Sequence, residues 1–300
     1  MQTFQAELYL DIKSSLSEGP YYDAATKTLR FVDIVKKEVW FVDVEKGPES
    51  ARKVDYDISM GVTANIAGKQ DEFLFGGKHG IGVASPKHNE YRYVKRYWPE
   101  ERNHMRANDG AVDSRGRFWV GTMTDQTVVT TGFKPNGSLF RYDLDGSLHT
   151  IIDNVTIPNG ISWSLDDKIM YWTDTGTNTI YAFDFDAESG SLSNQRVFFK
   201  TEEGGPDGHA QDVHGNLWVA VWGSWKVLRI SPEGVVTAVV NVPTRCPTAV
   251  VFVDEDIYIT SEADPEVDKY PESKPYVGGI FKCHVGVRGR EPFHAKVPTS

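Results

Sequence analysis

Short runs of β-branched and aromatic residues recur along the whole chain, and polar turn residues separate them. Six similar runs begin 40 to 51 residues apart, at Leu29, Phe73, Phe118, Ile169, Leu217 and Ile257. Runs of this length and composition between turn signals predict β-strands. Almost no segment shows the spacing of an amphipathic helix. The pattern therefore predicts an all-β protein made of six similar units.

Each unit contains more than one strand. A further apolar run follows in most units, as in VWFVDV from Val39, LFRYDL from Leu139 and IYAFDF from Ile180. Tight polar turns such as Asp-Ser-Arg-Gly at 113–116 precede several runs and are typical of connections between antiparallel strands. Three or four short strands repeated every 40 to 50 residues are typical of propeller blades. We therefore predict a six-bladed β-propeller.

The N-terminal run FQAELYLDI, which starts at Phe4, has no repeat of its own, and the sixth unit lacks an outer strand. We expect this segment to complete the last blade and so close the ring. Two stacked β-sandwiches are the structural alternative, but no Pro/Gly/Ser-rich or charged linker divides the chain. We therefore expect residues 1–300 to form one propeller domain, with its site at one mouth of the central channel.

A short motif containing glycine recurs just before the predicted strands. It reads Glu18-Gly19-Pro20, Met60-Gly61, Asn108-Asp109-Gly110, Pro158-Asn159-Gly160 and Pro206-Asp207-Gly208, with Cys246-Pro247-Thr248 in the sixth unit. The first strands of propeller blades line the central channel, so equivalent positions on them converge around the axis. We expect Glu18, Asp109, Asn159 and Asp207 to meet at one mouth.

Carboxylates and amides that converge on a narrow channel need a compensating partner, and a cation is the simplest one. Their donor atoms are oxygens, which suit Ca²⁺, Mg²⁺ or Mn²⁺ better than a structural zinc. A divalent metal site is the functional interpretation of the motif. The alternative is ordinary turn chemistry, because Asn and Asp tolerate positive φ and bond to nearby backbone.

Charge and composition narrow the classes of partner. The chain has 32 Lys and Arg residues against 42 Asp and Glu residues, and its net charge of −10 opposes binding to nucleic acid or anionic lipid. The sequence has no apolar run long enough to cross a bilayer and no signal-peptide pattern, so we expect a cytoplasmic protein without a membrane partner. Cys246 and Cys283 are expected to be small buried hydrophobes.

The ordered set of motifs resembles the regucalcin and gluconolactonase family, also called senescence marker proteins. The markers run from end to end and include Ser17-Glu18-Gly19-Pro20, Arg106-Ala-Asn-Asp-Gly110, Gly116-Arg-Phe-Trp-Val-Gly-Thr-Met123, Pro158-Asn159-Gly160, Pro206-Asp207-Gly208 and Gly215-Asn-Leu-Trp218. Members are six-bladed propellers that hydrolyse sugar lactones. The resemblance therefore implies a metal-dependent hydrolase of aldonolactones such as gluconolactone or xylonolactone.

The resemblance also implies a metal centre. By analogy with the family, Glu18, Asn159 and Asp207 hold one divalent cation, and Asp207 also accepts and returns the proton. Family members use different ions, so Ca²⁺ is expected first, with Zn²⁺, Mn²⁺, Mg²⁺ and Fe²⁺ as alternatives.

Four further residues are candidates for binding a small lactone substrate. The resemblance implies that Arg106 and Asn108 contact it, and both have suitable hydrogen-bonding groups. Asp109 lies beside them in the sequence. Gln126 stands three positions after Met123, where relatives often have an acidic residue that meets substrate, so this change is expected to tune which lactone fits.

Other functions stay open at this point. One alternative is a calcium-binding regulatory protein without significant catalysis, and a second is a propeller that serves only as a platform for other proteins. A third keeps hydrolysis but changes the substrate to other lactones or esters. We expect a monomer or a weak homo-oligomer, because nothing in the sequence demands a dimer interface.

Overall fold

A computed structural model describes residues Met1–Pro298. Within this range, twenty-five strands form six sheets. The helical segments of the described chain are three short 3₁₀ turns at Pro48–Ser50, Thr175–Thr177 and Pro271–Tyr276. None of these helices is long and apolar enough to cross a membrane.

The strands follow one another blade by blade. The N-terminus supplies β1 (Gln2–Gln5) and β2 (Glu7–Asp11), and the first blade contains β3 (Ser17–Asp23), β4 (Thr28–Asp33), β5 (Glu38–Asp43) and β6 (Arg52–Asp55). The second and third blades contain β7 (Met60–Asn65), β8 (Phe73–Gly77), β9 (Gly80–Ala84), β10 (Tyr91–Arg96), β11 (Met105–Val112), β12 (Phe118–Thr124), β13 (Gly137–Tyr142) and β14 (Leu148–Val155). The fourth, fifth and sixth contain β15 (Pro158–Trp163), β16 (Ile169–Asp174), β17 (Thr179–Asp186), β18 (Ser191–Lys200), β19 (Gly205–Gln211), β20 (Leu217–Trp222), β21 (Lys226–Ile230), β22 (Val236–Asn241), β23 (Pro247–Val253), β24 (Asp256–Ser261) and β25 (Gly279–His284).

The N-terminal segment closes the ring, as predicted, but it does so as two strands. Strand β2 pairs antiparallel with β25 and becomes the fourth strand of the sixth blade. Strand β1 pairs parallel with β22 and adds a fifth strand to the fifth blade. Between them, buried Ala6 donates its backbone N–H to the carbonyl of Asn241 over 2.9 Å. The segment therefore joins the last two blades to each other.

The innermost strand of each blade contacts the innermost strands of both neighbours. These six strands are β3, β7, β11, β15, β19 and β23, and β23 returns to contact β3. Their spacing depends on glycine. A Cβ atom on Gly61 would lie 2.1 Å from the carbonyl oxygen of Asn108, and one on Gly160 would lie 2.2 Å from Nδ1 of His209. The innermost strands can approach one another this closely because both positions are glycine, and the channel is therefore narrow.

The six apolar runs found in the sequence are the second strands, β4, β8, β12, β16, β20 and β24, rather than the first. The glycine motifs lie inside the innermost strands and not just before a strand. Gly, Asn and Asp are depleted in strands in general, so these innermost strands resemble turns in the sequence. The six predicted units are correct, but the strand predicted to be the first of each unit is the second strand of the blade.

Buried aspartates hold two of the predicted hairpin turns. Asp113 accepts a hydrogen bond from Nε1 of Trp119 over 2.9 Å, and Asp212 accepts the equivalent bond from Nε1 of Trp218 over 3.0 Å. Both aspartates are fully buried and also accept backbone N–H groups of their own turns. Each one therefore ties a turn to the tryptophan that packs between adjacent blades. Cys246 and Cys283 are buried and free, as expected.

The C-terminal segment crosses the end of the channel at which the innermost strands finish. Arg290 donates its backbone N–H to the carbonyl of Gln211 over 2.8 Å, and Ala295 forms a parallel bridge with Ile66. Behind residues 290–293 the channel contains a cavity of about 190 Å³. The opposite mouth, where the innermost strands begin, contains the predicted site.

Candidate active site

Every innermost strand loses register with the second strand at the same level of the ring. The ladder is interrupted between Glu18 and Tyr21, Met60 and Val62, Ala107 and Gly110, Pro158 and Ile161, Pro206 and His209, and Pro247 and Val250. Such bulges re-aim side chains that a regular strand would direct into the sheet packing. Four of these interruptions contain predicted site residues, namely Glu18, Asn108, Asp109, Asn159 and Asp207. Arg106 directly precedes the interruption of the third blade, and Gln126 follows β12.

Glu18, Asn159 and Asp207 are all buried, with exposed fractions of 4%, 2% and 6%. Burial raises the pKa of Glu18 well above its usual value, and the nearby charge of Asp109 raises it further. Burial also raises the pKa of Asp207, with Glu18 as the next contributor. The structure therefore brings these two carboxylates within electrostatic reach of each other although they are 189 positions apart in the sequence.

One oxygen of each carboxylate is buried without a hydrogen-bond partner among the described residues: Oε2 of Glu18 and Oδ1 of Asp207. A buried carboxylate in this state is costly unless a proton or a cation compensates it. Oxygen donors of this kind suit a hard divalent cation, so the residues present fit such an ion. No group of three or more His, Cys, Asp and Glu side chains within 1–298 has the arrangement of a metal site. The predicted set combines two carboxylates with an amide.

The side-chain amide of Asn159 is held from both sides. Its Nδ2 donates to Oγ1 of Thr175 over 2.7 Å, and its Oδ1 accepts from Nδ2 of Asn108 over 2.7 Å. Oγ1 of Thr175 donates in turn to the carbonyl of Pro206, the residue before Asp207, over 2.6 Å. This network fixes which way the amide faces, and the second lone pair of Oδ1 stays available for a ligand.

Arg106 is almost completely buried, with an exposed fraction of 2%, so it is not a surface arginine. Its Nη1 donates to Oδ1 of Asn108 over 2.6 Å and to the carbonyl of Ala107 over 2.9 Å. Its Nε and Nη2 both donate to Oε1 of Gln126, over 3.1 Å and 2.8 Å. A carboxylate there would neutralise the guanidinium, whereas Gln126 orients it and leaves its positive charge in the site.

Asn108 and Asp109 occupy different levels of the channel. Both amide hydrogens of Asn108 are used, one by Oδ1 of Asn159 and one by the carbonyl of Pro158 over 2.8 Å. Asp109 lines the channel cavity, and burial raises its pKa to about 6 despite a 2.7 Å bond from the N–H of Gly110. The roles of Asn108 and Asp109 in binding substrate stay predictions.

Two features of the mouth were missed. Glu262 accepts a hydrogen bond from Nε1 of Trp222 over 2.6 Å, and its charge raises the pKa of both Glu18 and Asp207. Asp125, next to Gln126, pairs with Nζ of Lys78 over 2.5 Å. Glu262 directly follows the motif Tyr258-Ile-Thr-Ser261, but a single acidic residue after a strand is indistinguishable from a turn residue in the sequence.

Comparison with known proteins assigns the family. Residues 16–263 match the model of the SMP-30/Gluconolactonase/LRE-like region. This chain belongs to that family. The matched range runs from β3 to β24, without β1, β2 and β25, and includes all the residues of the candidate site. Membership in this lactonase family makes a hydrolase of sugar lactones the general expectation for the chain.

Three relatives show how far the family likeness extends. Regucalcin of Bos taurus is 31% identical over 98% of this chain and 99% of its own length. A Bacillus subtilis protein named as a candidate sugar lactone lactonase is 30% identical over 96% of this chain and 97% of its own. A crystal structure of regucalcin from Agrobacterium tumefaciens has a TM-score of 0.88 and 23% identity, covering 98% of this chain and 99% of that one. The six-bladed propeller and the predicted family are therefore confirmed.

Proposed function

We propose that this member of the SMP-30/gluconolactonase family is a divalent-metal-dependent lactonase that opens aldonolactones to their acids. One observation carries the proposal: two buried carboxylates with unpartnered oxygens, on Glu18 and Asp207, face one mouth beside a buried arginine. Glu18, Asn159 and Asp207 would hold the cation. The names of the regucalcin and lactone lactonase relatives support the choice of reaction.

The bound cation would supply Lewis acidity, which polarises a lactone carbonyl and makes water more acidic. The oxygen of a water molecule bonds to the carbonyl carbon, and Asp207 accepts the proton that this water loses. When the bond from that carbon to the ring oxygen breaks, Asp207 returns the proton to the leaving alkoxide. Positioned proton transfer of this kind contributes about 10²- to 10⁴-fold to rate.

Arg106 binds and orients the substrate. Four hydrogen bonds to Ala107, Asn108 and Gln126 hold its guanidinium, which leaves one N–H of Nη2 for a ligand. That group can donate to the carbonyl oxygen as negative charge develops there. Asn108 acts through others, because its amide holds both Arg106 and Asn159 in place.

The proposal is tested by assaying chelator-treated protein with gluconolactone and xylonolactone after adding Ca²⁺, Mg²⁺, Mn²⁺ or Zn²⁺. We expect no hydrolysis above the spontaneous rate without metal and full recovery with at least one ion. Stoichiometric ion binding without turnover of either lactone would favour a calcium-binding regulatory protein. Turnover of aryl esters or other lactones alone would keep the metal-dependent hydrolase and change its substrate.

A further inference from the structure

We infer that Glu262, held by Trp222, forms a second subsite at the mouth that accepts a hydroxyl group of a neutral polyhydroxylated ligand. The subsite also excludes ligands that carry phosphate or carboxylate. The inference deepens the proposed lactonase function and rests on it for the reaction, but it also predicts binding that can be measured without turnover.

The backbone places Glu262 at the same end of the ring as the metal triad. Glu262 directly follows β24 and forms an antiparallel bridge with Leu16, two residues before Glu18. Its N–H donates to the carbonyl of Cys246 over 3.0 Å, directly before the innermost strand of the sixth blade. The position is therefore fixed by the first and sixth blades together.

Trp222 fixes the direction of the carboxylate. Nε1 of Trp222 donates to Oε2 of Glu262 over 2.6 Å, from the fifth blade to the sixth. Trp222 pairs with Gly205 in the ladder, so its backbone lies opposite the residue two positions before Asp207 on the innermost strand. The other oxygen, Oε1, has no protein partner among the described residues, yet it is not sealed from solvent as Oε2 of Glu18 is. One oxygen is anchored and the other is available to a ligand.

The carboxylate of Glu262 is repelled by the other carboxylates at the mouth. The mouth already has Glu18 and Asp207, and the charge of Glu262 raises the pKa of both. Two arginines, Arg106 and Arg245, act on Glu262 as nearby cations, and Arg245 is itself paired with Asp264. A side chain needed only to pack against Trp222 would be less costly without a charge.

The chemistry of the free oxygen identifies the class of ligand. An ionised carboxylate only accepts hydrogen bonds, and it bonds well to hydroxyl groups. It repels phosphate and carboxylate, and such repulsion is an effective way to reject the wrong ligand. The mouth therefore selects neutral aldonolactones over lactones that carry an anionic group.

The test compares wild type, Glu262→Ala and Glu262→Gln at saturating metal, with Glu255→Ala as the matched control. Glu255 is an exposed glutamate at the opposite end of the same blade. For gluconolactone we expect Glu262→Ala to raise KM about tenfold with kcat nearly unchanged, the effect of losing one hydrogen bond to a charged group. The ratio of kcat/KM for phosphogluconolactone to kcat/KM for gluconolactone should be about tenfold or more higher in Glu262→Ala than in wild type. Glu262→Gln keeps an acceptor oxygen, so it should change the phosphate preference more than KM.

Binding of anhydroglucitol, a cyclic polyol that cannot be hydrolysed, separates this inference from the reaction itself. We expect calorimetry to detect binding to wild type and to Glu255→Ala, weakened about tenfold in Glu262→Ala. If wild type hydrolyses no lactone but shows this pattern, the lactonase proposal fails and the subsite stands. The subsite is overturned if wild type and Glu262→Ala have equal KM values, equal preference between the two lactones and equal affinity for anhydroglucitol. It is also overturned if wild type does not bind anhydroglucitol.

Discussion

Asn108 donates a hydrogen bond to Oδ1 of Asn159 over 2.7 Å and so joins the third blade to the fourth at the mouth of the channel. Asn108 also accepts from Nη1 of Arg106 over 2.6 Å. A single amide therefore connects the residue proposed to orient the substrate with a residue proposed to bind the metal. The metal centre and the substrate site are mechanically coupled through Asn108.

Replacing Asn108 with alanine should weaken metal binding although Asn108 is not itself a proposed ligand. The substitution frees the amide of Asn159 to rotate, and loss of such supporting bonds typically costs about 10- to 100-fold in metal affinity. Calorimetric titration of chelator-treated protein measures this change. Unchanged affinity in a folded Asn108→Ala variant would show that Thr175 alone orients Asn159.

Replacing Arg106 with alanine should act on the substrate and not on the ion. We expect a raised KM, a lowered kcat or both, with a loss in kcat/KM of about 10- to 1000-fold, because a charged donor to the developing oxyanion is removed. Metal affinity should stay nearly unchanged. A large loss of ion binding in Arg106→Ala would mean that the guanidinium supports the metal site instead.

Asp109 should make the metal-free protein less stable as the pH rises. Its pKa in the folded protein is raised to about 6, chiefly by burial, above a value of about 3.9 in the unfolded chain. The stability linked to its proton is therefore complete below about pH 4 and is lost as the pH rises through about 6. Asp109→Asn should remove this loss and raise the free energy of unfolding at pH 7 by about 1 to 3 kcal/mol.

Urea unfolding of chelator-treated protein at pH 4, 5, 6 and 7 tests this expectation. Asp268→Asn is the control, because Asp268 is exposed in the segment between β24 and β25. A constant difference between wild type and Asp109→Asn across these pH values would contradict the raised pKa.

Replacing Gly61 with alanine should disrupt the ring. The new Cβ would lie 2.1 Å from the carbonyl oxygen of Asn108, and backbone atoms of a neighbouring strand cannot move away cheaply. We expect a loss of more than about 3 kcal/mol or failure to fold. Gly68→Ala is the control: no atom lies within 4 Å of the new Cβ, but φ is +76°, so only the backbone cost of about 1 kcal/mol applies. Similar losses in both variants would show that crowding of the innermost strands is unimportant.

The sequence was sufficient to predict the blades and the three residues Glu18, Asn159 and Asp207 of the site. Runs such as LWVAV from Leu217 have strong local strand signals, and the spacing of the glycine motifs places Glu18, Asn159 and Asp207 at equivalent points of a closed ring. Closure by the N-terminal segment followed from a missing strand in the sixth unit. These features depend on the local preference of residues for strands and on the spacing of the repeated motifs, and a single sequence contains both.

Other features depend on contacts between distant parts of the chain. The bulges in the innermost strands arise where six strands crowd around one axis, and no local pattern specifies that crowding. Glu262 gains its importance only because Trp222 and Glu18 are brought beside it. The C-terminal segment that crosses the channel at Gln211 and Ile66 has little regular structure, so its course could not be predicted.

The most direct test of the account is calorimetric titration of Ca²⁺ into chelator-treated wild type, Glu18→Gln and Asp207→Asn at pH 7.5. These variants keep the shape of each side chain and remove its charge. We predict one ion per chain in wild type, at least about 100-fold weaker binding in either variant, and loss of lactone hydrolysis in the same two variants. Undiminished binding of the ion by both variants, with wild-type turnover, would contradict the claim that these carboxylates form the metal centre.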